Sequence, residues 1–406
     1  MPKNPKQPRK GDAVLGVHAP APAGGVVLGG VEGVKKRLAS ASVEQRLIAL
    51  PEALQYGKAG LDLVIEALQD ESEQVQYSAY LLLREKIEPK IKQVIKQFNP
   101  WKFITCLYTF EEHSRWVNSV AYAPSAGYAN SPDARTVVSS AENHTIKVWD
   151  LQTESLLHIL KGHSSPVFDL AISPDAKTVV SGSLKKNIKV WDIETGSLRS
   201  TLEGHSDWVY SVAISGDAKT IVSGSGDKTI KVWDSETERL KITLKGHLDW
   251  VYSVAISVDA KTIVSGSGDK TIKVWDIERG RLKSTIKGHS QAVKTVAISP
   301  DAKTIVSGSD DATIKVWDIE TGRLRSTLKG HLDAINSVAI SLDAETIVSS
   351  SRDATIKIWD IETGRLRSTL EGHSQSVDAV AISLDGLTIV SGSHDKTIKV
   401  WGVRLG

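Results

Sequence analysis

The chain has 406 residues, a formal net charge of +2 and 24% charged residues, a balance too even to make a nucleic-acid or membrane surface by bulk electrostatics. No apolar run approaches the roughly 18 residues that a membrane span needs, and His18, Pro20 and Pro22 interrupt the weakly apolar stretch from Ala13 to Val17 before a signal-peptide core can form. The single cysteine, Cys106, excludes an internal disulfide framework and fits a reducing compartment, so a cytoplasmic protein is expected.

In chain order, residues 1–30 come first and set Lys3, Lys6, Arg9 and Lys10 among many Pro and Gly. No periodicity there can bury a face, which predicts a flexible, solubilising tail. Residues 31–100 change to helical spacing. Leu61, Val64, Ile65 and Leu68 fall at i, i+3, i+4 and i+7, one face of a helix. Asp70, with Glu73 three residues on, makes a capping-box-like start for a second helix that carries Val75, Ala79, Leu82 and Leu83. The string GLDLVIEALQDESEQVQYSAYLLLRE, with Asp70 at the turn and Val75 and Ala79 on the second helix, resembles a HEAT-type repeat, though Gln76 stands where that family often has Arg. Stacked repeats of that kind need about three or more units. With one or two present, the resemblance implies a cap docked on a neighbour or a small helical domain. Pro89, Asn99 and Pro100 mark its exit.

The remainder is an array. Gly204 to Asp234, GHSDWVYSVAISGDAKTIVSGSGDKTIKVWD, recurs with small changes: His163, His205, His247, His289, His331 and His373 step by 42 residues, and so do the tryptophans from Trp149 to Trp401. A repeat of that length, punctuated by Gly-His and Trp-Asp, is the signature of a four-stranded propeller blade. Seven units make one ring. The expected fold is mainly β: a seven-bladed propeller over residues 101–406, behind a small N-terminal α-helical segment. In the third repeat the strands read as Val209 to Ser215, Thr220 to Ser225, Thr229 to Asp234 and Leu240 to Lys245, with Gly or Asp in each turn. The first repeat is longer, the excess lying around Ser125 to Pro132. TCLYTFEEH, Thr105 to His113, aligns with the outer-strand segment SLRSTLEGH, Ser197 to His205. Phe103 to Phe110 is therefore predicted to pair with the strand around Trp401, closing the ring and removing an exposed sheet edge.

Gly-His, then VSGS, then Asp, then Trp-Asp resembles the WD40 repeat family over about residues 103–406, and the regularity of units such as AKTIVSGSGDKTIKVWD, at Ala218 and Ala260, is similar to that of bacterial, particularly cyanobacterial, members. The resemblance implies a buried hydrogen-bond relay in each blade. Its matching positions are His205, Asp227 and Trp233; His247, Asp269 and Trp275; His289, Asp311 and Trp317; His331, Asp353 and Trp359; and His373, Asp395 and Trp401. Ser223 and Ser225 both suit the serine of the relay, and spacing does not choose between them. Asn143 and Lys185 replace the Asp in the first two blades, which are expected to be less rigidly tied. His, Ser and Asp together also suggest a catalytic triad, but recurrence at one register in five blades argues for structure, since catalysis needs one location with a cleft and an oxyanion hole. SGSGDKT, Ser223 to Thr229, resembles the end of a phosphate-binding loop, yet Asp227 separates Gly from Lys and no helix follows. No Cys/His cluster has zinc spacing. Neither a metal nor a cofactor is expected.

What differs between copies points to function. Three residues after each His come Trp116, Pro166, Trp208, Trp250, Ala292, Ala334 and Ser376; five after it come Asn118, Phe168, Tyr210, Tyr252, Lys294, Asn336 and Asp378. Just before the relay Asp position stand Glu142, Leu184, Gly226, Gly268, Asp310, Arg352 and His394. In the family these loops ring the face where partners commonly bind. Trp116, Phe168, Trp208, Tyr210, Trp250, Tyr252, Lys294, Arg352 and His394 are accordingly the candidate partner-binding residues, with aromatics on the half of the rim made by blades 1 to 4. Clustered exposed Trp and Tyr are enriched in interface hot spots; the competing expectation is that these rings only pack against neighbouring blades. The resemblance implies a non-catalytic scaffold, monomeric within a complex, that binds proteins or peptides and neither nucleic acid nor membrane. The alternatives are a regulatory subunit of a separate kinase or NTPase, and an enzyme using the propeller channel.

Overall fold

The computed structural model describes residues 30–86, 88–123 and 136–404. The tail read over residues 1–30, apart from Gly30, and the enlarged turn around Ser125 to Pro132 lie outside the described residues. Two compact units divide the chain, one of Met1–Ile104 with Arg404–Gly406 and one of Thr105–Val403.

The first unit holds α1 (Gly30–Leu38), α2 (Val43–Ala53), α3 (Gly57–Glu66), α4 (Glu73–Arg84) and α5 (Pro89–Gln97). The apolar pattern predicts α3 and α4; the other three go unmarked in it. Val34, Leu50, Val64, Val75, Leu83 and Ile91 bury one face from each helix in a shared core. Asp70 does not cap α4. Ser72 occupies the N-cap without a side-chain bond, because Asp70 has other partners: its carboxylate accepts the Ser72 N–H (2.8 Å) and pairs with Arg46 of α2 (3.2 Å). Arg46 is buried and also donates to the Ser40 carbonyl (2.7 Å). A guanidinium taken out of water needs a carboxylate and carbonyls around it, so it holds Asp70 in the turn.

A short 3-10 turn, Pro100–Phe103, follows α5. Phe103 therefore lies outside the strand predicted to start with it. Pro100 suits the first position of a turn, and Asn99 Oδ1 accepts the Trp101 N–H (3.3 Å) to cap it. The strand, β1, runs over Thr105–Phe110.

The second unit consists of seven antiparallel four-stranded sheets arranged as a propeller. Blades 1 to 6 take residues 117–160, 167–203, 209–245, 251–287, 293–329 and 335–370; blade 7 takes residues 377–402 and borrows β1. In blade 3 the strands are Val209–Ile214, Thr220–Ser225, Thr229–Asp234 and Leu240–Lys245, the inner one ending a residue earlier than the sequence reading. The outer edge of blade 7 is closed by β1, antiparallel to Ile398–Gly402, with Thr105 opposite Gly402 and Phe110 opposite Ile398.

The core lies between sheets. Val222, Ile230, Val232 and Leu244 of blade 3 meet Val251, Val254, Ile263 and Trp275 of blade 4, all with almost no exposed surface. Removing each such side chain from water stabilises by about 1.5–3 kcal/mol, so every blade contributes half of two cores. Gly224 permits the approach: a Cβ there would come within 2.8 Å of Val251 and 2.9 Å of Val254. At the closure the same layer joins Phe110, Val390, Ile398 and Val400 to Val117, Val137 and Trp149.

Candidate functional site

The relay can be built atom by atom in blade 3. His205 enters on the loop before the inner strand. Its Nδ1 lies 2.8 Å from Asp227 Oδ2 and its Nε2 lies 2.8 Å from Ser223 Oγ. Trp233 Nε1–H donates to the same hydroxyl (2.9 Å). A neutral ring that donates from Nδ1 accepts the serine proton at Nε2, so each polar atom has a counterpart. The serine is thus Ser223; Ser225 instead donates to the Asp207 carbonyl (3.0 Å) and accepts the Asp227 N–H (3.1 Å). Asp227 also accepts from the Ser206 N–H (3.0 Å) and from the Thr229 N–H and hydroxyl (2.9 and 2.6 Å). Burial alone would raise the Asp227 carboxyl; the hydrogen bonds from His205, Thr229 and Ser206 hold it well below the usual carboxylate range.

The arrangement recurs at His247–Ser265–Asp269–Trp275, His289–Ser307–Asp311–Trp317, His331–Ser349–Asp353–Trp359 and His373–Ser391–Asp395–Trp401. These serines have no exposed surface. A hydroxyl that solvent cannot reach cannot meet a substrate, so the relay is a strut of the blade and not a nucleophile. Among the described residues no group of three or more His, Cys, Asp or Glu is placed to hold a metal ion, and no helix is long and apolar enough to cross a membrane.

Blades 1 and 2 keep two legs of the relay. His113 and Trp149 meet on Ser139, and His163 and Trp191 meet on Ser181, at 2.7–2.8 Å. Their Nδ1 atoms are buried and have no hydrogen-bond partner among the described residues. Asn143 turns its Nδ2 to Ser114 Oγ (3.1 Å), and a donor there cannot serve another donor. Burial, then the charges of Lys147 at His113 and of Lys189 and His144 at His163, push both imidazoles down to about 3.

The variable positions lie together on one face of the ring, where each loop carrying the relay His adjoins the turn between the second and third strands; the Gly226 N–H donates to the Trp208 carbonyl (2.9 Å). Phe168, Tyr210, Trp250 and Tyr252 form a continuous chain of rings with centroid separations of 5.3, 5.6 and 6.0 Å. Trp208 lies beside it, 6.3 Å from Trp250. Trp208 and Trp250 are 37% and 40% exposed, so they are not absorbed between blades. Burial, followed by the charges of Tyr252, Asp207 and Asp249, pushes the Tyr210 phenol up beyond the normal tyrosine range.

Trp116 lies apart from that cluster. It stacks on His394 of blade 7 (4.1 Å, 12°), and His394 pairs with Asp378. The aromatic run over blades 1 to 4 is therefore interrupted between blades 1 and 2, where blade 2 places Pro166 at the position of Trp116, Trp208 and Trp250. At the other end Lys294 lays its ammonium over the Tyr252 ring, 3.6 Å from its centroid. Burial lowers the Lys294 amine, Asp310 opposes that shift, and Arg352 adds to it. The opposite half of the face is polar: Asn336 Nδ2 donates to Ser376 Oγ, the Val377 carbonyl and Asp378 Oδ1, at 3.0–3.1 Å.

Two sets of residues escaped the sequence reading. Asp207 and Asp249, one residue before Trp208 and Trp250, look like ordinary turn aspartates and proved to border the rings. Asp169 stands in the inner strand of blade 2 where Ser211, Ser253 and Thr295 stand in blades 3 to 5. It accepts the Val212 N–H of the next blade (3.0 Å) and the Ser119 hydroxyl of the previous one (2.9 Å). Burial raises its carboxyl against those bonds. Its signal was available as the one acid at that repeat position.

The family model for the WD domain, G-beta repeat, matches the chain at residues 104–150, 154–192, 196–234, 238–276, 280–318, 322–360 and 364–402. Each matched stretch opens on the outer strand of one blade and ends on the third strand of the next, which is why β1 is needed to complete blade 7. Over 69 residues the chain is 33% identical to the probable coatomer subunit beta' of Schizosaccharomyces pombe, a match that covers 16% of this chain and 8% of that protein.

Proposed function

The chain belongs to the WD domain, G-beta repeat family, and from that premise we propose that it is a non-catalytic scaffold whose aromatic face captures a protein or peptide partner. One observation carries the reading: a contiguous cluster of five aromatic rings in which both tryptophans keep more than a third of their surface in water. Burying such rings on a partner is what concentrates binding energy in hot spots. Phe168, Trp208, Tyr210, Trp250 and Tyr252 would supply the contact, Lys294 and Arg352 its charged margin, and Trp116 with His394 a second, smaller contact across the ring. Similarity to a probable coatomer subunit fits work inside an assembly. We further place the propeller at residues 101–406 and a HEAT-like helical segment at 31–100, in a monomeric protein of the cytoplasm; the exposed lone Cys106 thiol suits a reducing compartment.

The test is affinity capture from extract of the source cell, with the full chain and the double variant W208A/W250A compared at equal folding, judged by thermal transition. Loss of about 2 kcal/mol or more at a hot spot should remove the specifically retained proteins. Retention of the same set by the double variant would overturn the reading.

A further inference from the structure

Blades 3 and 4 carry the same notch twice. Asp207 and Asp249 each spend Oδ1 on the N–H of the tryptophan that follows, at 2.8 and 2.9 Å. Among the described residues neither Oδ2 has a hydrogen-bond partner, and each lies over a glycine: a Cβ on Gly226 would come within 2.9 Å of Asp207 Oδ2, and one on Gly268 within 2.7 Å of Asp249 Oδ2. At the same position the other blades place Glu142, Leu184, Asp310, Arg352 and His394, so only these two blades let the carboxylate lie directly against bare glycine backbone. The result is a pair of identical acid-and-indole units on adjacent blades, with their indole centroids 6.3 Å apart.

That arrangement suits cations. A carboxylate oxygen beside an exposed indole offers a charge-assisted hydrogen bond and a ring face to the same guanidinium or ammonium. The face already performs this chemistry once, in the Lys294 ammonium held over Tyr252. The nearest lysines do not pair with these carboxylates: Lys186 and Lys228 donate instead to the Ser206 and Leu248 carbonyls, one residue before each acid, at 2.7 and 3.0 Å. Spacing narrows the ligand further. In an extended chain, side chains on one side recur every two residues, about 6.6–6.8 Å apart, close to the separation of the two indoles.

Resting on the face assigned above, we propose that its partner presents an extended basic segment, with cationic side chains at alternate positions, one for each of the Asp207–Trp208 and Asp249–Trp250 units. Arginine suits both best, because its planar guanidinium can stack on the indole while its edge meets the carboxylate.

The experiment uses the full chain and fluorescein-labelled peptides of Gly and Ser read by fluorescence anisotropy. One peptide carries two Arg separated by a single Ser, a second carries the two Arg adjacent, and a third carries Glu in place of both Arg. The alternate-Arg peptide is expected to bind about tenfold more tightly than the adjacent-Arg one, the size expected for one lost cation contact, and the Glu peptide not at all. D207N/D249N keeps the Oδ1 acceptors and removes only the charge, so it should fold normally and lose at least about tenfold in affinity. W208F/W250F keeps a ring and should lose less. Equal binding of the two arginine peptides, binding of the Glu peptide, or an unchanged D207N/D249N would each overturn the proposal. If W208A/W250A loses its cellular partners while D207N/D249N keeps them, the aromatic face stands and the basic segment falls; if neither variant loses them, both fall.

Discussion

Blades 2 and 3 have the same strands and the same Trp–Ser–His contacts, yet only blade 3 closes its relay on an aspartate. In blade 3 the His205 Nδ1 has Asp227, and that carboxylate also ties down the following turn through Ser206 and Thr229. In blade 2 the His163 Nδ1 is buried with no hydrogen-bond partner among the described residues, Lys185 standing in the place of the acid. Both blades nevertheless form the same four-stranded sheet. The shape of a blade is therefore set by sheet packing and the serine hub, while the aspartate adds stability on top of a fold already determined.

The largest effect expected from breaking this contrast is Asp227→Ala. It strands the His205 Nδ1–H and the Ser206 and Thr229 donors, a loss of about 3 kcal/mol, and calorimetry should show the transition fall by about 5–10 °C. An unchanged transition would remove the strut role. The pH dependence comes next. His113 and His163 have folded values near 3, below the roughly 6.5 of an unfolded histidine. Between those values the unfolded chain binds more protons, so this contribution is complete above about pH 6.5 and declines as pH falls toward 3. Asp311, held at about 2, loses its contribution later, as pH falls from about 4 to 2. Melting curves from pH 7 to 4.5 should thus already decline, and adding the acid in blade 1 should blunt that decline.

That substitution, Asn143→Asp, exchanges a single donor for an acceptor beside His113. It should stabilise by about 1–2 kcal/mol at pH 7, read from denaturant midpoints; destabilisation would show that the Ser114 contact matters more. The smallest effect is expected from Lys185→Ala, within about 0.5 kcal/mol, because its side chain makes no relay contact.

The architecture was legible because it is written seven times. His205, Asp227 and Trp233 repeat with their neighbours, so one pattern specifies every sheet, and strand ends in blade 3 agree to within a residue. Single-copy events were harder. Phe103 reads like the start of a strand until Asn99 and Pro100 wind it into a turn, and Asp70 reads like a cap until Arg46, distant in sequence, claims it. Ser223 and Ser225 share a residue type and, two apart on a strand, a side of the sheet; only the position of the indole separates them. At the aromatic face, the positions of Trp208 and Tyr210 were readable and their company was not. Trp116 stacks on His394 across the ring closure, a pairing that no local pattern contains, and Asp207 gains meaning only beside the bare backbone of Gly226.

The closure itself has a consequence in time. Lys399 bonds Thr109 across a separation of 290 residues. At the roughly 5–20 residues per second of synthesis, β1 leaves the ribosome about 15–60 s before its partner strand exists. During that interval TCLYTF, an uncharged strand, cannot be covered by blade 7. Completing the ring therefore waits on synthesis of the last strand, and sealing the β1 edge is governed by translation speed as well as by the strength of the contacts that finally hold it.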